Sequence, residues 1–158
     1  MLITLKDKFL ISKLKSQLGN EFEMKDLGVT KKILGVEIHR DQKVDKLYLS
    51  QRKYLKKMVD RFNMNYCKLV SSPSTTHFKL SSDSCLTSKE ETKKILHVPY
   101  VNMIGSLMHA MVCTKPNISY TVSVVSCFMY NLGKDHWDAM KWILCYAKGS
   151  LDKCLVFL

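Results

Sequence analysis

The chain has 158 residues, a length that suits one domain or a piece of a larger protein. Hydrophobic residues make up 46% and charged residues 25%, with six glycines and three prolines, which excludes a disordered, collagen-like or low-complexity chain. A formal net charge of +11 suggests an anionic partner, most often nucleic acid.

The spacing of the cysteines and the charge of the N-terminal residues favour an intracellular protein. The six cysteines are scattered and form no Cys-x-x-Cys motif, and the first 15 residues contain five charged side chains, which fits no signal peptide. The longest charge-free stretch, residues 116–133, is interrupted by serine and asparagine, which disfavours a membrane span. We therefore expect an intracellular protein with reduced thiols and no membrane partner.

In chain order, the first predicted element is an amphipathic helix over residues 6–17, which Gly19 and Asn20 should end. Two β-prone runs, residues 33–39 and 47–49, flank a polar turn and predict a β-hairpin. Ser50 is the expected N-cap of the next helix.

That helix, predicted over residues 50–62, combines an apolar stripe with a dense basic surface. The stripe consists of Tyr54, Leu55, Met58, Val59 and Phe62, and the basic residues are Arg52, Lys53, Lys56, Lys57 and Arg61. Eight of the eleven net positive charges lie within residues 1–70. The basic surface is either a solvated face that maintains solubility or a face that binds phosphates, and charge alone does not decide between them.

The second half is predicted to be mainly helical. Serine-rich residues 71–89 indicate an exposed loop, within a linker that extends to residue 97. Helices are predicted over residues 100–112, 117–130 and 134–148, and residues 154–158 predict a final strand with no later partner. Trp137, Met140, Trp142 and Tyr146 are expected to be core residues rather than a base-stacking surface. The fold class is therefore predicted as α+β.

No constellation of residues predicts catalysis within this chain. The five histidines lie apart, are interpreted as standing at ligand spacing from no other histidine and no cysteine, and are expected to be surface or core residues. No Walker loop, nucleophile elbow or dinucleotide-binding glycine motif occurs. The acidic pairs at 41/45, 90/91 and 135/138 are interpreted as solvated charges or helix caps, because none follows an apolar strand. We expect no catalytic residue, no metal ligand and no small-molecule substrate.

Several short motifs, taken together, resemble the reverse transcriptase of copia-type retrotransposon Pol polyproteins. They are EMKDLG at 23–28, ILGVEI at 33–38, LSQRKY at 49–54, VPY at 98–100, GSLM at 105–108, MVCTKP at 111–116, HW at 136–137, KWIL at 141–144 and KG at 148–149. Their order and spacing agree with the family over nearly the whole chain.

The resemblance implies a position within a larger polymerase. In the family, a Tyr-x-Asp-Asp turn carries metal-binding aspartates and is followed by a strand similar to Met1-Leu2-Ile3. The expected organisation is the end of the palm in 1–49, a basic thumb-like helix in 50–70, a linker in 71–97, and a helical thumb and connection region in 98–158 that leads to a missing ribonuclease H domain. The parent family uses Mg²⁺, whereas we expect no cofactor in this chain.

The resemblance also gives roles to individual residues. The hairpin over residues 33–49 resembles the primer-grip hairpin, in which Gly35 would permit close approach of the template–primer duplex. On the thumb-like helix, phosphate contacts would come from Arg52, Lys53, Lys56, Lys57 and Arg61. The predicted function is a reverse transcriptase fragment that retains template–primer-gripping parts and is inactive alone.

Departures from the family leave two alternatives. Many relatives carry arginine at the positions of Lys115, Cys127 and Cys145, proline at Leu132 and aspartate at Asn117. Replacement of arginine by cysteine removes a charge, which suggests drift in a decayed genomic copy. The chain is therefore alternatively a non-enzymatic nucleic-acid-binding module, or a pseudogene product without function.

Overall fold

The computed structural model describes residues 7–26, 28–74, 80, 99–129 and 133–157. The chain divides into two compact units, residues 1–30 and residues 31–158. The first unit contains helix α1 (Lys8–Glu21), whose N-cap Asp7 accepts a hydrogen bond from the backbone N–H of Phe9 at 2.8 Å. No described residue of α1 is buried.

Four strands in the described part of the second unit form one antiparallel sheet in the order β1-β2-β3-β4. They are β1 (Lys32–Ile33), β2 (Val36–Asp41), β3 (Lys46–Ser50) and β4 (Leu155–Phe157). β2 and β3 form the predicted hairpin, with Ile38 opposite Leu49. The prediction of one strand over residues 33–39 is wrong in its first part, because a turn at Leu34 and Gly35 separates β1 from β2. β4 joins from the far end of the chain and places Leu155 opposite Leu49.

The helices of the second unit enclose its hydrophobic core. They are α2 (Arg52–Arg61), α3 (Tyr100–Cys113), a 3₁₀ turn (Pro116–Ile118), α4 (Ser119–Ser126) and α5 (Lys134–Gly149). Completely buried side chains from each helix meet here, including Leu55, Leu107, Val122 and Leu144. The Tyr100 hydroxyl donates to the Val125 carbonyl at 2.8 Å, which ties α3 to α4 without leaving a buried polar group unpaired.

A buried lysine positions the segment between α5 and β4. Lys115 is 3% exposed, and its Nζ donates hydrogen bonds to the carbonyls of Ser150 and Lys153. Burial lowers the pKa of Lys115, with the nearby charge of Lys153 acting in the same direction. The ammonium thus stabilises the turn that redirects the chain from α5 into the sheet.

The α+β fold class is confirmed, and several local predictions need correction. α1 continues through Gly19 and Asn20 instead of ending before them, and α4 is shorter than the predicted helix over 117–130. Gln51 is the N-cap of α2, although the Ser50 hydroxyl still accepts a hydrogen bond from the Arg52 N–H at 3.3 Å. The expectation that the terminal strand lacks a partner is wrong, because β4 pairs with β3.

Two further predictions concern the core and the linker. Met140 is buried, and Trp137 and Tyr146 pack against the core, as predicted. The prediction that Trp142 is a core residue is wrong, because it is half-buried and its Nε1 donates a hydrogen bond to the Ser72 carbonyl at 2.9 Å. Of the predicted linker, only residues 71–74 and 80 are described, and the remaining positions lie outside the described residues.

Candidate nucleic-acid interface

The turn between β1 and β2 places Gly35 beside α2. Leu34 and Gly35 link the two strands with φ values of 46° and 80°, the positive pair typical of a type I′ hairpin turn. A Cβ on Gly35 would lie 3.5 Å from Cδ2 of Tyr54 and 3.9 Å from Cε1 of His109. Gly35 therefore provides a left-handed turn residue and a close contact with the first turn of α2.

Helix α2 has two opposite surfaces because its apolar and basic residues alternate at helical spacing. Leu55, Met58 and Val59 are buried, and Tyr54 and Phe62 pack at the edge of the core. All five predicted phosphate-binding residues are exposed, namely Arg52, Lys53, Lys56, Lys57 and Arg61. We call this surface the basic face.

Two residues of the basic face form ion pairs that connect α2 to the sheet. Lys53 Nζ lies 2.7 Å from Glu37 Oε1 on β2, and Arg52 Nε lies 3.3 Å from Asp152 Oδ1 just before β4. The Arg52 and Asp152 side chains are 68% and 80% exposed, so this pair adds little stability. Within the described ranges, Lys56, Lys57 and Arg61 have no ion-pair partner.

A buried amide holds the start of the basic face in place. Gln51 is 1% exposed and lies between β3 and α2. Its Oε1 accepts a hydrogen bond from the Thr114 hydroxyl at 2.7 Å, and its Nε2 lies 3.2 Å from Nδ1 of His109. These contacts join the N-terminus of α2 to the end of α3, a connection that the sequence pattern did not predict.

The structure also brings together a histidine and a cysteine of α3. His109 and Cys113 are four residues apart on α3, and Nε2 of the imidazole lies 3.8 Å from Sγ of the thiol. Their spacing of one helical turn is a signal present in the sequence itself. The interpretation of His109 as isolated from every cysteine is therefore wrong.

His136 is a second polar residue whose placement required the fold. It is completely buried, its Nδ1 accepts a hydrogen bond from the Gly133 N–H at 3.0 Å, and its ring lies 4.3 Å from that of Phe128. Among the described residues, its Nε2 has no hydrogen-bond partner. Burial lowers the pKa of His136, opposed by the charge of Asp135. This residue is a core histidine that caps α5.

The described residues contain neither a membrane-spanning helix nor a cluster of metal ligands. No helix there is long and apolar enough to cross a membrane. Nor does this part of the chain bring three or more histidine, cysteine, aspartate or glutamate side chains together in a metal-binding arrangement.

The chain matches known proteins along nearly its whole length. Residues 1–76 match the model of the reverse transcriptase (RNA-dependent DNA polymerase) family. A retrovirus-related Pol polyprotein of transposon TNT 1-94 from Nicotiana tabacum is 51% identical over 157 residues, which cover 99% of this chain and 12% of that protein. The corresponding polyprotein of transposon RE2 from Arabidopsis thaliana is 32% identical over 152 residues, covering 96% and 10%.

One relative is a shorter protein than the Pol polyproteins and is not named as one of them. An uncharacterized mitochondrial protein of Arabidopsis thaliana is 32% identical over 151 residues, which cover 96% of this chain and 59% of that protein. No solved structure matches the chain. The chain thus spans about a tenth of the Pol polyproteins and just over half of the mitochondrial protein. Over nearly its whole length the chain is therefore similar to a segment of transposon Pol polyproteins, and its first half to reverse transcriptases, which confirms the resemblance of its motifs to the copia-type family.

Proposed function

We propose that this chain binds a template–primer duplex through the sugar–phosphate backbone and does not itself polymerise DNA. The observation that carries the proposal is the basic face of α2, which lies opposite a buried stripe and whose Lys53 pairs with Glu37 on β2, two residues after Gly35. Since a polymerase accepts any sequence, contacts to phosphates rather than to base edges are the chemistry required of such a surface.

The dimensions of the basic face suit several phosphates. From Arg52 to Arg61 the helix rises about 14 Å, and a duplex carries one negative charge per ~1.7 Å of its axis. Lys56, Lys57 and Arg61 are available without breaking an ion pair of the described structure. Arg52 and Lys53 would exchange surface carboxylates for phosphates at small cost, because exposed ion pairs contribute only about 0–1 kcal/mol.

The proposed lack of polymerase activity rests on the acidic residues. Two-metal phosphoryl transfer needs carboxylates that converge on the metal ions. The chain contains no Asp-Asp dipeptide, the pair that the family places in its catalytic turn. Template-directed nucleotide addition by the purified chain with Mg²⁺ would contradict this part of the proposal.

The salt dependence of affinity tests the binding site. If each of the five basic residues neutralises one phosphate, a plot of log K against log salt for a DNA/RNA hybrid should have a slope of up to about −4.5. Replacement of Lys56, Lys57 and Arg61 by glutamine should reduce the magnitude of that slope by about 2.7. Fluorescence anisotropy with a labelled hybrid measures both values.

A matched variant controls for the loss of net charge. Lys68, Lys134 and Lys153 are exposed lysines outside α2, and their replacement by glutamine removes the same three charges. We expect this control to retain most of the slope. Equal losses in the two triple variants, or no binding of the unmodified chain at low salt, would contradict the proposed interface.

A further inference from the structure

We propose that His109 and Cys113 form a binding site for a borderline-to-soft divalent cation such as Zn²⁺ or Cd²⁺. The two residues lie one turn apart on the same face of α3, and both side chains are partly exposed. This inference is independent of the proposed duplex binding, since neither residue belongs to the basic face.

The spacing of the two potential ligand atoms fits one metal ion. Zn²⁺ binds thiolate sulfur at ~2.3 Å and imidazole nitrogen at ~2.0–2.1 Å, so two such ligands at a tetrahedral angle lie about 3.6 Å apart. Nε2 of His109 and Sγ of Cys113 are separated by 3.8 Å. A cation could therefore bridge them with little movement of either side chain.

The other nitrogen of His109 already has the outer partner that a metal-bound histidine needs. When Nε2 binds a metal, Nδ1 carries the proton, and this N–H donates a hydrogen bond to a carbonyl or carboxylate oxygen. The Gln51 amide lies 3.2 Å from Nδ1, and rotating that amide by half a turn presents its oxygen there. The same rotation turns the amide nitrogen toward the Thr114 hydroxyl as a donor, so both contacts are retained.

Packing restricts the imidazole as well. The Tyr54 ring lies 4.7 Å from that of His109, and the Tyr54 hydroxyl donates to the Ser106 carbonyl at 3.0 Å. A ligand whose orientation is fixed before binding loses less conformational entropy when the metal arrives. The site is thus preorganised on its histidine side.

The ligand types select the class of cation. Thiolate and imidazole favour Zn²⁺, Cd²⁺ or Cu⁺ over Mg²⁺ and Ca²⁺, which prefer oxygen ligands. Among the described residues no third histidine, cysteine, aspartate or glutamate side chain joins His109 and Cys113 in a metal-binding group, so water would complete the coordination sphere. Binding transfers the Cys113 thiol proton to solvent and forms a metal–sulfur bond, with no change in oxidation state.

Site-resolved protection from alkylation tests the proposal in the unmodified, reduced chain. Iodoacetamide labelling at increasing Cd²⁺, read for each cysteine by peptide mass spectrometry, should show Cys113 protected at lower Cd²⁺ than an exposed cysteine without a histidine neighbour. Cys127 is an internal control, because it is exposed at the end of α4 and its thiol donates a hydrogen bond to the Ser123 carbonyl. We expect half-protection of Cys113 at a Cd²⁺ concentration at least about tenfold lower than for Cys127.

A substitution then isolates the imidazole. Loss of an outer-shell partner alone costs 10–100-fold in metal affinity, so His109→Gln should raise the Cd²⁺ concentration that protects Cys113 by at least roughly tenfold. Cys127 should respond as before. Equal protection of Cys113 and Cys127 in the unmodified chain, or unchanged protection of Cys113 in His109→Gln, would overturn the proposed site.

Discussion

Three buried polar residues, Gln51, Lys115 and His136, show how single side chains determine the arrangement of the helices. Each is at most 3% exposed, and each bonds to a group far along the chain or at a helix end. Burying such groups is costly unless they are hydrogen-bonded, so each contact defines one position for its element. Gln51 thus positions α2, Lys115 positions the segment that leads into β4, and His136 positions the start of α5.

Lys115 provides a test of this effect. Lys115→Met retains the aliphatic stem but removes the donor to the Ser150 and Lys153 carbonyls, so we expect a loss of about 2 kcal/mol in the free energy of unfolding. Lys115→Arg retains a charge and donors and should lose less. Urea denaturation measures both. Equal stability of the methionine variant and the unmodified chain would show that the buried ammonium contributes nothing.

His136 predicts a pH dependence of stability. Its pKa is lowered in the folded chain because of burial, whereas the unfolded chain should titrate near 6.5. The unfolded state therefore binds the proton at higher pH. The stabilisation is fully present above pH 6.5 and is lost as the pH falls from there through the lower pKa of the folded state. His136→Gln cannot titrate, so its urea midpoint should decrease less between pH 7 and pH 5 than that of the unmodified chain. Parallel decreases would contradict this assignment.

At the scale of elements, glycine has opposite effects on stability in the turn between β1 and β2 and in a helix. Gly35 occupies a left-handed turn position, whereas Gly105 lies on α3 with open space where a Cβ would point. Glycine relieves steric strain in the first setting and weakens the helix in the second. The same substitution should therefore have opposite effects at the two positions.

We expect Gly35→Ala to destabilise the chain by about 1–2 kcal/mol, because an L-residue is strained at a φ of 80°. The Cβ itself would make only ordinary contacts with Tyr54. Gly105→Ala should stabilise the chain by about 0.5–1 kcal/mol through higher helix propensity. Thermal unfolding followed by circular dichroism compares the pair. A shift of the same sign in both variants would contradict the assigned turn conformation.

At the scale of the whole molecule, the two compact units differ in how much they bury. Helix α1 of the first unit has no described buried residue, whereas α3 and α5 contribute large parts of the core of the second unit. A helix of 14 residues is marginally stable in water without tertiary packing. The two units should therefore differ in local stability.

Native-state hydrogen exchange should reveal this difference. We expect the amides of α1 to exchange more than about 100-fold faster than those of α3 and α5, because exchange from buried helices requires large-scale unfolding. Mass spectrometry of peptides from each helix measures the rates. Protection factors of similar size in α1 and α5 would indicate that α1 shares the stability of the core.

The sequence by itself determined the fold class, the hairpin, the buried and basic surfaces of α2, and the relationship to copia-type reverse transcriptases. These features depend on the spacing of apolar residues and on the order of short motifs, and both can be identified in the sequence without the tertiary structure. It misjudged the end of α1, because Gly19 and Asn20 favour a stop only weakly and α1 continues to Glu21. Local patterns also gave no partner for the final strand.

Only the tertiary structure decided the contacts between distant residues. Pairing of β3 with β4 joins Leu49 to Leu155, and the Gln51 amide meets His109 and Thr114 across about 60 positions of sequence. Such contacts depend on how the helices pack around the core, which no local period encodes. The +11 charge indicated an anionic partner, and the fold paired Lys53 of the basic face with Glu37 on β2 and placed Gly35 beside Tyr54 of the same helix.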